Sequence, residues 1–120
     1  MTREKLRQYE DLIEELREEC DRLEREERNA ARLEAACGVG YLFGRDSLER
    51  SRQRFAALRA RREDEAEEIR LWIEQVPDSM TRRALKLRYI DGLKWDAIAR
   101  RMGYADESGP RKLAEKLLDK

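Results

Sequence analysis

The sequence predicts an all-α protein in which a long N-terminal helical hairpin of coiled-coil character (1–76) precedes a C-terminal three-helix helix-turn-helix unit (77–120). Three observations point there. Of 120 residues, 45% are charged and 40% hydrophobic, with only 6 Gly and 2 Pro, and the excess of Ala, Glu, Arg and Leu suits long helices rather than strands. Residues 2–37 contain neither Gly nor Pro. Within that run Leu6, Tyr9, Ile13, Leu16, Cys20 and Leu23 alternate steps of three and four, the spacing of a coiled-coil seam.

The first helix is expected from about Thr2 to Cys37, its stripe interrupted at Glu27 and resumed by Ala30, Leu33 and Cys37. "CGVGYLFGRDS" sets glycines at 38, 40 and 44, which should stop this helix. Asp46 with Glu49 three residues on has the form of a capping box opening the second. Leu48, Phe55, Leu58, Ala66, Ile69, Trp72, Ile73 and Val76 form its apolar face, weakened by the charged run Arg59 to Glu65, and it ends before Pro77. Neither stripe is wide enough to exclude water alone, so each packs on the other or on another chain. A homodimer through 1–76 is expected, with Leu6, Tyr9, Ile13, Leu16, Leu23, Phe55 and Ile69 as oligomerisation residues. Tyr41, Leu42 and Phe43 are expected to tuck onto the hairpin end or to touch a partner. "GVGYLFG" is no dinucleotide fingerprint: its third glycine is one place late, and a helix rather than a strand precedes it.

Past Pro77, Asp78 is placed to cap a helix running through "SMTRRALKLRYI" and ended by Asp91 and Gly92. A second helix starts near Lys94, carries Trp95, Ile98, Ala99 and Met102, and stops at Gly103. A third begins between Asp106 and Pro110, with Leu113, Leu117 and Leu118 inward; Pro110 fits only in its first turn, where a missing N–H costs nothing. Two helices crossing closely need a small residue under the crossing, apolar neighbours around it and a Gly where the chain reverses. Ala99, flanked by Ile98 and Met102 and followed by Gly103 and Tyr104, meets those needs in order, and Trp95 is expected to wedge this unit against the preceding helix.

Charge divides the chain. Residues 1–76 hold 16 Lys/Arg against 20 Asp/Glu, a net −4, while 77–120 hold 11 against 7, a net +4. The basic part permits nucleic acid; the Glu and Arg of the long helices read as solvated faces with i,i+4 pairs. Without any His, Cys20 and Cys37 can build neither a Cys/His zinc site nor a Cys-His catalytic pair, and read as reduced thiols packed like small hydrophobes. There is no carboxylate dyad and no pocket-forming Gly motif, so the expectation is no enzyme, no metal, no cofactor and no small-molecule substrate. No window of about 18 apolar residues exists, and "MTREKLRQYE" is no signal peptide; a cytoplasmic protein without a membrane partner is expected.

"LRYIDGLKWDAIARRMG" resembles region 4 of bacterial sigma factors, with its Leu-Arg-Tyr helix end, Gly-Leu, Ile-Ala and Gly turn. Behind a coiled-coil half, "LRYIDGLKWDAIARRMGYADESG" is similar to small phage-encoded sigma-region-4-like proteins, including ArpU/RinA-type transcriptional regulators. The likeness covers about a third of the chain. It implies a sequence-specific, phage- or prophage-encoded regulator of transcription that binds double-stranded DNA through its last helix and has no enzymatic activity. Carried over, the recognition helix spans about Asp106 to Leu118 and presents Ser108, Pro110, Arg111, Lys112 and Glu115 outward. Arg111 would read a base edge and Ser108 would sit near the groove entrance, while Lys94, Arg101, Lys112 and Lys116 would neutralise phosphates. The sequence departs from the family at Gly109, where a β-branched residue is usual, and in opening this helix with Asp106 and Glu107. Those acids either accept from cytosine or turn the helix toward a protein. Two alternatives stay open: a DNA-recognition protein of terminase small-subunit type, and a helical adaptor that binds RNA polymerase or another protein.

Overall fold

The computed structural model describes residues 1–37 and 40–118, without the side chains of residues 37 and 40–45. Its helices are α1 (Arg3–Cys37), α2 (Gly40–Glu74), α3 (Ser79–Leu85), a π-helical turn (Lys86–Ile90), α4 (Trp95–Met102) and α5 (Ser108–Leu118). The fold class is therefore all-α: a long helix pair followed by shorter helices. No described helix is long and apolar enough to cross a membrane.

Thr2 opens α1 by accepting from the Lys5 N–H at 3.1 Å, which satisfies one of the amides a helix start leaves unpaired. The start of α2 corrects the sequence expectation, for it lies at Gly40 rather than at Asp46. A helix interior tolerates glycine at about 1 kcal/mol, and no proline intervenes, so Gly44 lies inside the helix and Asp46 and Glu49 are exposed interior residues rather than a capping box. The packing of Tyr41, Leu42 and Phe43 falls outside the described residues.

The chain forms two compact units, one from Met1–Glu10 with Asp64–Lys120, the other from Asp11–Glu63. In the second, Leu12, Ala30 and Leu48 are buried, and between them the seam is polar. Ser51, 1% exposed, donates to Glu26 Oε2 at 2.6 Å. Arg54 donates to Ser51 Oγ at 3.0 Å and its Nε lies 3.9 Å from Glu19, while Arg52 lies 3.6 Å from Glu27. These pairings run antiparallel. The expected interruption at Glu27 is thus a stretch of polar partners, and Ile13, Leu16, Cys20, Leu23, Phe55 and Leu58 are only half-buried.

The first unit holds the larger core. Leu6, Tyr9, Ile69, Ile73 and Val76 from the long helices are buried together with Ala84, Leu85, Ile98, Ala99 and Ala114. Lys5 pairs with Glu68. Leu6, Tyr9 and Ile69, expected to face a second copy, thus already lie inside the single chain, whereas Ile13, Leu16, Leu23 and Phe55 keep partial exposure. Asp78 caps α3, accepting from Thr81 N at 2.9 Å and from Thr81 Oγ1 at 2.7 Å; these bonds hold its carboxyl below the usual carboxylate range. The helix expected over 79–90 changes character halfway, because a π turn takes one residue more than an α turn. Arg88 and Tyr89 sit in that widened turn.

Candidate nucleic-acid interface

Helices α4 and α5 and the turn between them form the helix-turn-helix. Ile98 is fully buried and Ala99 2% exposed, and α5 packs on both α3 and α4. Gly103 adopts φ 82°, a left-handed conformation that only glycine takes without strain, and Tyr104 N–H reaches back to Ala99 O at 2.8 Å. The sequence requirements of the turn are met residue for residue.

The start of α5 was only partly legible. Asp106 accepts from Ser108 N at 2.9 Å and from Ser108 Oγ. These bonds, ahead of the weaker pull of Lys112 and Arg111, hold its carboxyl below the ordinary value. Gly109 N–H donates to Asp106 O and Arg111 N–H to Glu107 O, each at 3.4 Å, and Pro110 has no N–H. The first turn therefore offers no unpaired amide from Ser108 to Arg111, and a phosphate there must be held by side chains. Pro110 itself corrects an expectation: it is fully buried rather than outward, because it shares the inner face of α5 with buried Ala114 one turn on.

Gly109 has a packing reason. A Cβ there would lie 2.7 Å from Tyr104 Cγ and 3.0 Å from Tyr104 Cε1, so the tyrosine ring rests directly on the α5 backbone. Trp95 also differs from expectation. It is half-buried, and the Arg88 guanidinium lies 5.3 Å above its ring, while Arg88 also donates to Leu93 O and Glu10 Oε1, both at 3.3 Å. Arg88 is the residue the sequence reading missed; its only sequence hint is its place next to Tyr89 in "LRYI".

The expected contact residues are distributed as follows. Lys94 immediately precedes α4 and Arg101 lies in its last turn, about 10 Å apart along the axis at 1.5 Å per residue. Ser108, Lys112 and Lys116 recur every four residues on one face of α5, and both lysines are exposed. None of Lys94, Arg101, Lys112 and Lys116 forms an ion pair or side-chain hydrogen bond with another described residue. Arg111 does: its guanidinium lies 3.3 Å from Glu107 and 3.7 Å from Glu115. Two stripes thus lie side by side on α5, one cationic and one running acid, arginine, acid.

Elsewhere the chemistry is sparse. Among the described residues no group of three metal-ligating side chains comes together. Desolvation, followed by the Glu24 carboxylate to which its Sγ donates at 3.8 Å, holds the Cys20 thiol above its ordinary pKa and so keeps it a poor nucleophile. Comparison with models of known families, with curated proteins and with solved structures finds no match for this chain.

Proposed function

We propose that this chain is a sequence-specific DNA-binding transcriptional regulator of the phage sigma-region-4-like kind, acting as a homodimer in the cytoplasm. The observation that carries the reading is the α4–turn–α5 unit with its four exposed cations, Lys94, Arg101, Lys112 and Lys116, none in a salt bridge with a described carboxylate. In this reading the four neutralise phosphates and set the register of α5 in the major groove. Arg111 exchanges one of its exposed i,i+4 pairs, each worth only about 0.3–0.5 kcal/mol, for the O6 and N7 acceptors of a guanine. Ser108 stays at the groove entrance, its N–H and hydroxyl both donating to the Asp106 carboxylate.

The test is retention of double-stranded DNA as a function of salt. Lys112→Ala should weaken binding equally on all sequences and flatten the log-log salt slope by about 0.9. Arg111→Ala should lose about 1–3 kcal/mol on the preferred site alone. One observation favours a second reading, an adaptor that binds RNA polymerase or another protein: the acid–arginine–acid stripe is net negative and the helix start has no amide to offer. If the intact helical protein retains no DNA even at low salt, the adaptor reading takes the place of the regulator.

A further inference from the structure

The homodimer needs a surface, and the core already covers Leu6, Tyr9 and Ile69. Outside that core lies the unit Asp11–Glu63, which among the described residues consists of two helix segments. Its α1 segment, 11–37, carries ten Asp/Glu against five Arg, a net −5; its α2 segment, 40–63, carries three against seven, a net +4. One compact unit therefore presents an acidic helix beside a basic one.

We infer that this helix pair is the surface on which a second copy of the chain docks, with the acidic α1 segment of each copy lying across the basic α2 segment of the other. The inference rests on the homodimer reading for its partner and adds where and how the two copies meet. A two-fold interface places the same patch on both sides, so the patch must complement itself. Two helices of opposite sign meet that condition when crossed, whereas like against like would set −5 against −5. The same pairing is already at work within the chain, where Glu19 meets Arg54 and Glu27 meets Arg52.

Exposure agrees with this occupant: Ile13, Leu16, Leu23, Phe55 and Leu58 stay half-buried because two helices cannot enclose a seam from both sides.

Sedimentation equilibrium of the full chain and of two charge-reversed chains tests this. One reversed chain carries Glu15→Arg with Glu18→Arg on α1, the other Arg50→Glu with Arg59→Glu on α2; all four residues are exposed and outside the ion pairs that cross the hairpin. The unmodified chain should be a dimer whose Kd rises with salt. Each reversed chain should dissociate at least tenfold more easily while keeping its helical circular dichroism, and an equimolar mixture should recover dimers. Should a reversed chain lose helicity, the neutral pair Glu15→Gln with Glu18→Gln replaces it, with a several-fold weaker dimer expected. Dimers that persist unchanged in both reversed chains overturn this surface and leave the homodimer standing. A monomer, or a ring-sized mass, overturns both.

Discussion

Gly109 shows how a single residue is set by a neighbour that the local pattern does not reveal. With Tyr104 Cγ 2.7 Å from where a Cβ would stand, Gly109→Ala must displace the ring, and a cost of about 1–3 kcal/mol is expected, as for overpacked sites. Combining it with Tyr104→Ala should remove most of that penalty; a Gly109→Ala chain as stable as the parent in urea would contradict the contact. Tyr89 carries the pH dependence. Burial, then the nearby Glu10 carboxylate, pushes its phenol up to about 12 from an ordinary 10.0. The folded state therefore holds this proton longer than the unfolded state. The stability it contributes is complete below pH 10 and is lost as pH rises from about 10 to about 12. In a tyrosinate absorbance titration Tyr89→Phe should remove a late step near 12, and a titration curve unchanged above about pH 11 in that variant would rule the shift out. Gly103 and Ala99 were legible in the sequence because a helical reversal imposes them locally; Gly109 was not, because its reason lies across the turn.

At the level of elements, helix period carried the reading well where apolar residues recur, and poorly where polar ones take their place. Ser51, Glu26 and Glu19 occupy the seam of the long pair yet read as solvated residues, since a layer of hydrogen bonds and ion pairs leaves no apolar mark in the sequence. The π turn was hidden for a similar reason: an extra residue in one turn leaves no mark in the apolar content of Leu85, Leu87, Tyr89 and Ile90. Its consequence is the placement of Arg88 over Trp95 and within reach of Glu10. Trp95→Ala is expected to cost about 1–3 kcal/mol, less than a fully buried aromatic, because the ring is only half covered. Arg88→Lys keeps the charge but loses the planar fork that stacks and donates at once, at about 1 kcal/mol. Denaturation followed by far-UV circular dichroism checks both, and an unaffected Arg88→Lys would mean that charge alone suffices.

The whole chain is divided differently from its charge. The sequence reading drew its line at residue 77, where Pro77 and the change of sign fall, whereas the contacts gather Met1–Glu10 with everything from Asp64 on. Leu6 and Tyr9 belong to the periodic stripe of α1 and carry no sign that their partners lie more than fifty residues away. Leu6→Ala, at a site 2% exposed, should cost about 2–5 kcal/mol. The loss should appear in the environment of Trp95, even though the substitution lies in the first turns of α1. With Trp72→Phe as background so that Trp95 alone emits, a Leu6→Ala chain whose fluorescence midpoint is unchanged would contradict that shared core. The division also sets an order in time. Residues 1–10 leave the ribosome well before residues 64–118, so their apolar side chains wait uncovered while the intervening helices are made, at roughly 5–20 residues per second. Pairing Asp11–Glu63 first would shorten the loop still to be closed, so a pause in synthesis after residue 63 has emerged from the ribosome would favour correct folding more than an earlier one.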